Sequence, residues 1–318
     1  AAGSMEQEDP KVHLGLSVDS LFIDRWMRER DVFVSAAKEL GAEVNVQNAN
    51  GDVEEQISQI EYFIRKQVDV IVVVAGDCEA LTDVMIKARE AGIKTVSYDR
   101  LIQNAGCDLY ISFDNTEVGR LMARSLLENI PDGGDIFLIQ GPLTDHNVTL
   151  VREGIDETLA GSSLSVVYES NCAGWVAENA YTYTKEGLKQ DRYVKGIICG
   201  NDDLASQAFR ALSEERLAGK VYVTGQDGDL AACQRIVEGT QEMTAFKSVE
   251  QEASMAAKCA VLLGLGEEIE EARSTAYDGT YQVPYLELQP IAVTGENMDE
   301  VIIKGGFHAK EDVYLNVN

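Results

Sequence analysis

The stretch Val70-Ile71-Val72-Val73-Val74-Ala75-Gly76-Asp77 is a short apolar strand that runs out into a carboxylate just ahead of a helical segment. The pattern recurs along the chain: Val12 to Val18 leads to Asp19, Thr95 to Ser97 to Asp99, and Leu109 to Ser112 to Asp114. It returns as Ile136 to Ile139 before Asp145, Gly196 to Cys199 before Asn201 and Asp202, and Val221 to Thr224 before Asp227. Parallel strands joined by helical crossovers turn all their C-terminal ends to one side, and ligands bind in the crevice there. The repeats therefore plant a row of polar groups along one cleft. An aspartate at a strand-to-helix junction is also a favoured helix N-cap, so each residue has two readings, and it is the repetition that argues for a shared role.

Helical periodicity fills the intervals. Asp24 to Leu40 carries Trp26, Phe33, Ala36 and Leu40 at helical spacing, and Glu54 to Arg65 carries Ile57, Ile60 and Ile64. Further helices are expected over 79–91, 116–129, 147–160, 176–189, 203–214, 229–238 and 250–264, with Gly92, Gly133-Gly134, Gly161, Gly219 and Gly239 where helices stop. This is an α/β chain, and its 318 residues suit two doubly wound parallel-sheet lobes. The alternation breaks twice: 95–98 and 109–112 follow one another without a helix, and the tail after Tyr281 is strand-like, with Pro284 and Pro290. Successive strands without a helix mark a passage between domains, so hinges are expected near 113–116, 247–250 and 282–285. The first lobe is then 10–114 plus 248–282 and the second 115–247 plus 283–318, with hinge closure on a ligand held between them. Residues 1–9 read as a cloning remnant, Ala1-Ala2-Gly3-Ser4-Met5, and a polar tether, which implies that any export signal has been removed.

Composition excludes several classes. The formal net charge of −27 gives a field that repels phosphate backbones, so no nucleic-acid partner is expected. The six cysteines, at 78, 107, 172, 199, 233 and 259, form no CxxC pair, and the three histidines lie far apart without an HExxH arrangement, so neither a metal site nor a cofactor is expected. No GxGxxG follows a strand, and neither a P-loop nor a GxSxG elbow is present. Asp202 and Asp203, or Asp202 and Asp227, offer paired carboxylates of the kind glycosidases use. Without any catalytic motif around them, the chain reads as a binding protein and not an enzyme.

Trp26 and Trp175 are the only tryptophans, and each follows a strand near the expected crevice. A pyranose has a flat C–H face that packs on an aromatic ring, while its hydroxyls project edgewise to planar Asp, Asn and Arg groups. Two rings and a polar rim suit a neutral sugar. Trp26 has a second reading, because Trp26, Phe33 and Leu40 are spaced by seven and form a core stripe; Trp175 belongs to no such stripe.

The segments Ser17-Val18-Asp19 with Asp24-Arg25-Trp26, Gln47-Asn48-Ala49-Asn50-Gly51, Ser97-Tyr98-Asp99-Arg100, Tyr110 to Asn115, Gly225-Gln226-Asp227 and Gly305-Gly306-Phe307-His308 occur in this order from about Lys11 to His308. As an ordered set they resemble D-xylose-binding proteins, the substrate-binding components of ABC transporters in the ribose-binding type of periplasmic fold. The resemblance implies a xylose ring held between Trp26 and Trp175, with polar contacts from Arg25, Asp99, Arg100, Asp145, Asn147, Asn201, Asp227 and Lys247. His146, Asp203 and Ser248 depart from the pattern around those positions without altering the contact set. Asn115, beside the first hinge, reads as a helix cap in preference to a contact. Asp99 or Asp227 is expected to pair with Arg100 or Arg25. Partners implied are D-xylose or a related monosaccharide such as glucose or arabinose, and a membrane permease of an ABC transporter; a membrane histidine kinase reading the bound sugar is the alternative. Either role implies export, to a periplasm or to a lipid-anchored position outside the cytoplasmic membrane.

Overall fold

The computed structural model describes residues 12–21, 24–143 and 145–318, with the backbone alone described at Asp24 and Arg25. The remnant and tether expected over residues 1–9 lie outside the described residues. The chain divides into two compact units, one of residues up to Phe113 together with Ser248–Leu288, the other of Asp114–Lys247 with Gln289–Asn318.

The first unit begins with β1 (Val12–Val18), α1 (Asp24–Glu39), β2 (Ala42–Asn48), α2 (Val53–Arg65), β3 (Val70–Val74), α3 (Thr82–Glu90), β4 (Lys94–Tyr98) and β5 (Leu109–Phe113). The second follows as α4 (Asn115–Asn129), β6 (Gly134–Gln140), α5 (His146–Leu159), β7 (Leu164–Asn171), α6 (Glu178–Gln190), β8 (Gly196–Cys199), α7 (Asp202–Glu214), β9 (Tyr222–Gln226), α8 (Leu230–Glu238) and β10 (Met243–Phe246). The chain then returns to the first unit through α9 (Val249–Gly264), β11 (Ser274–Tyr277) and β12 (Gln282–Leu288), and ends in the second with β13 (Ile291–Val293) and α10 (Lys310–Val313).

Strand β3 shows why the apolar runs become central strands. Its five residues are all buried, and they alternate: Val70, Val72 and Val74 join one apolar cluster with Phe33 and Ala256, while Ile71 and Val73 join another with Phe63, Leu81 and Met85. Only a strand with helices on both faces buries a continuous Val/Ile run in this way. Strand β6 repeats the arrangement, with Phe137 and Ile139 facing one cluster and Ile136 and Leu138 the other.

Among the described residues the first sheet has the order β11-β12-β5-β4-β3-β1-β2 and the second β13-β10-β9-β8-β6-β7. The first five strands of each unit share one topology, β2-β1-β3-β4-β5 against β7-β6-β8-β9-β10, all parallel. Antiparallel pairing is confined to the margins, where β11 lies against β12 and β13 against β10. The third passage between units falls after Leu288, beyond the 282–285 expected from the tail. The reason is that Gln282–Leu288 pairs in parallel with β5 and buries Val283, Leu286 and Leu288 in the first unit, while Pro284 sits exposed. Pro284 stands opposite Thr275 of β11 and precedes Tyr285, the first residue of β12 in register with β5.

Helices α4 and α5 approach more closely than side chains ordinarily allow, because Gly119 lies against the Val151 carbonyl and Gly154 against the Thr116 carbonyl. A Cβ at either position meets rigid backbone. Gly154→Ala should therefore lower stability by about 1–3 kcal/mol through overpacking, read as a lower midpoint in urea at unchanged slope; an unshifted midpoint would show that the helix pair yields.

Candidate functional site

In a sheet of this order, β1 and β3 are adjacent in space while their crossovers depart in opposite directions, and the crevice beyond their C-terminal ends is the preferred ligand position. In the first unit Asp19 directly follows β1, Ala75 follows β3, and Arg100 follows β4 by two residues. Arg100 joins the other two: its Nη1 donates to the Ala75 carbonyl at 2.7 Å and to Asp19 Oδ2 at 3.3 Å. The guanidinium carbon also lies 5.5 Å from the centre of the Trp26 ring. Arg100 has Asp19 as a carboxylate partner, an acid the expected pairing did not include. Asp19 opens the row of strand-end carboxylates in the sequence, yet nothing in its type separates it from its neighbours there.

Trp26 is only 6% exposed and sits in the apolar cluster with Phe33 and Val74. Its ring meets Tyr98 edge-on at 6.3 Å, and the Tyr98 hydroxyl donates to the buried Glu29 carboxylate at 2.7 Å. Of its two sequence readings the core stripe holds as far as Phe33, although Leu40 is exposed, and the ring also lies beside Arg100. The Arg25 side chain lies outside the described residues.

In the second unit the corresponding crevice is beyond β6 and β8, whose next residues are Gly141 and Gly200. The Trp175 indole covers both glycines. A Cβ at Gly141 runs into the ring, and one at Gly200 comes within 3.3 Å of it. Trp175 Nε1 donates to Asp145 Oδ2 at 3.1 Å, while Asp145 Oδ1 accepts the Asn147 amide at 3.0 Å, so this carboxylate caps α5 and aims the indole at once. Trp175 remains partly exposed.

Asn147 is linked onward. Asn115 Nδ2 donates to Asn147 Oδ1 at 3.2 Å, and Lys247 Nζ donates to Asn115 Oδ1 at 3.3 Å. The cap of α4 is Asp114, whose carboxylate accepts the Glu117 amide. Asn115 is thus a buried link between two predicted contact residues, not the cap that its position beside the hinge suggested. Asn201 does cap its helix, accepting the Leu204 amide at 2.9 Å.

Asp99 and Asp227 occupy equivalent places, each after the fourth strand of its unit. Each amide donates to the fifth strand, Asp99 to Ile111 at 2.8 Å and Asp227 to Ala245 at 3.0 Å. Both have positive φ, +67° and +108°, and so does Trp175 at +58°. Non-glycine residues hold this conformation at a cost of about 1–3 kcal/mol each and only where their surroundings impose it, as binding sites do.

The pattern of the periplasmic binding protein domain family is matched by residues 14–268, and the chain belongs to that family. Its fold is that of the type I periplasmic sugar-binding proteins. It is 42% identical to a D-xylose-binding periplasmic protein of Haemophilus influenzae, over 98% of this chain and 95% of the relative. It is 40% identical to the D-xylose-binding periplasmic protein of Escherichia coli, over 95% of this chain and 93% of that one. Among solved structures, an ABC transporter solute-binding protein of Clostridium phytofermentans with bound β-D-glucose superposes with a TM-score of 0.77 at 25% identity, covering 95% of this chain and 99% of that chain. The family is one of binding proteins, so the chain is a binding protein and not an enzyme. No helix among the described residues is long and apolar enough to cross a membrane.

Asp202, which the sequence places in the row of strand-end acids with both a cap and a ligand reading, is fully buried at the first turn of α7, and the cap there is Asn201. Burial, with the charges of Asp227 and Asp229, pushes its pKa up to about 8, against hydrogen bonds from Thr244 and the Asp229 amide that act the other way. A carboxyl with a raised folded pKa binds its proton more tightly in the folded state, so its contribution to stability is present at low pH and declines as pH rises toward the folded value. From about pH 5 to about pH 8 the melting temperature of the native chain should fall relative to that of Asp202→Asn, with the difference levelling off above that range. Parallel melting curves across that range would show that Asp202 carries no such linkage.

Proposed function

We propose that the chain is an extracytoplasmic receptor that binds D-xylose and delivers it to the permease of an ABC transporter. The observation that carries this reading is the assembly around Trp175: an indole laid over two glycines at the ends of adjacent strands, oriented by Asp145, with Asn147, Asn115 and Lys247 linked beside it. A flat apolar face bordered by an acceptor-only carboxylate and fixed amides is what a pyranose recognises. In the first unit the Arg100 group brings a guanidinium, the Asp19 carboxylate and the ring of the largely buried Trp26 together. Relatives whose names specify D-xylose, at 40% identity or above over nearly the whole chain, support the choice of sugar. In this reading Arg25, Trp26, Asp99, Arg100, Asp145, Asn147, Trp175, Asn201, Asp227 and Lys247 form the contact set. A ligand that binds one form of the protein better than another shifts the population toward it, and the permease recognises the loaded form. The protein acts outside the cytoplasmic membrane, free in a periplasm or held there by a lipid anchor.

Titrating D-xylose while following tryptophan emission should give a saturable change, with weaker responses to D-glucose, L-arabinose and D-ribose. No response to any of them, together with an unshifted melting temperature, would overturn the reading. In calorimetry Asp227→Ala should weaken xylose binding by about 2–3 kcal/mol, because a charged hydrogen bond is lost and its partner stranded; unchanged affinity would remove Asp227 from the contact set.

A further inference from the structure

We infer that Asp202, Thr244 and His308 are positioning residues that clamp the Asp227–Gly228–Asp229 turn and thereby hold the Asp227 carboxylate in its binding geometry. The inference rests on the sugar-binding reading above and adds residues that touch no ligand. Each polar group of the turn that it invokes has a partner outside the turn. The Gly228 amide donates to Thr244 Oγ1 at 3.0 Å, and the Thr244 hydroxyl in turn donates to Asp202 Oδ2 at 2.8 Å. The Asp229 amide donates to the same Asp202 oxygen at 3.0 Å. From the other side, His308 Nε2 lies 2.7 Å from the Gly228 carbonyl; a carbonyl only accepts, so the proton is on Nε2 and the imidazole donates.

Packing closes the remaining freedom. Gly228 has φ of +71°, and a Cβ there would lie 2.9 Å from the Phe246 ring, so the turn is pressed against that ring. Phe307, next to His308, packs on Phe246 with ring centres 5.0 Å apart, which anchors the tail where His308 reaches the turn. The Gly305-Gly306-Phe307-His308 segment thus acquires a purpose that its place near the chain end does not suggest. Asp202 is itself tied down by Gln241, whose Nε2 donates to Oδ1 at 3.1 Å.

The physical need for the clamp is the backbone of Asp227, at φ +108°. A non-glycine residue relaxes from that region unless its neighbours prevent it. Removing one clamp bond lets the peptide at Gly228 rotate, and the carboxylate one residue earlier moves with it. Preorganisation of this kind strengthens binding by removing an ordering cost that the ligand would otherwise meet.

The test is a calorimetric double-mutant cycle with D-xylose on the full chain. His308→Ala and Thr244→Val should each weaken binding about 5- to 10-fold, the size of one lost hydrogen bond, and His308→Gln, which retains an N–H donor, should restore most of it. In an Asp227→Ala background, His308→Ala should cause no further loss, because its effect passes through that carboxylate. Unchanged affinity in His308→Ala, or an equal loss with and without Asp227, would overturn the inference. Amide hydrogen exchange at Gly228 and Asp229, measured without sugar, decides the clamp independently of the ligand: faster exchange in His308→Ala supports it, and exchange equal to the native chain refutes it. A native chain that takes up no sugar brings down the functional reading alone, and the exchange result then stands by itself.

Discussion

Everything in this molecule depends on central strands that are covered on both faces. Strand β3, buried along its whole length, has no room for a side chain that must meet a ligand, and β8 is the same. Ligand-directed groups are therefore driven to the strand ends, and the shared strand order decides which ends matter. Where crossovers depart in opposite directions a crevice is left uncovered. In the first unit Arg100, Asp19 and the Ala75 carbonyl converge at that place, and in the second Trp175 lies over Gly141 and Gly200. The glycines are part of the same logic: an indole lies flat on the ends of two strands only if neither strand end carries a side chain.

The repetition of topology extends to conformation. Asp99 and Asp227 follow equivalent strands, both with positive φ, and both hand their amide to the next strand. Each unit therefore holds one aspartate in a conformation that a free chain avoids. The surroundings differ. After Asp99 comes Arg100, which is tied to Asp19, whereas after Asp227 comes Gly228, gripped by Thr244 and His308. One architectural device is stabilised by a guanidinium in the first unit and by a hydrogen-bond network with a tail histidine in the second.

Much of this was legible in the residues, and the exceptions have physical causes. Strand-to-helix alternation announces itself through apolar period and terminal glycine, so α1 through α9 fall close to where the sequence places them. The passage at Leu288 was not legible, because Pro284 and Pro290 resemble linker punctuation, while the pairing that makes Gln282–Leu288 a strand is with β5, far away in sequence. Asp145, Trp175 and Asn147 could be named in advance and do meet in the structure. Asn115 was misread because a residue at a helix start looks like a cap, and only the neighbouring Asp114 shows which of the two takes that role. Asp202 was masked by its neighbour Asn201. In sequence both sit at one helix start, yet one caps the helix while the other is turned inward to Thr244 and Gln241.

The chain of Lys247, Asn115 and Asn147 shows how little chemistry is needed to fix a recognition pattern. Lysine only donates, so the Asn115 oxygen must face it, and the Asn115 amide group is then obliged to donate to the oxygen of Asn147. The orientation of Asn147 is set in turn, and its NH2 is presented as a donor with no freedom to exchange for an acceptor. Asp145, acceptor only, has one oxygen on the α5 amide and the other on the indole, so neither can rotate away. A site whose donors and acceptors cannot interchange discriminates among sugars by stranding a polar group whenever a hydroxyl points the wrong way. That penalty grows steeply once water is excluded. On the proposed reading, selectivity comes from the rigidity of the polar rim more than from the number of its contacts, and Asn115, which links the rim together, then matters as much as a residue that faces the ligand.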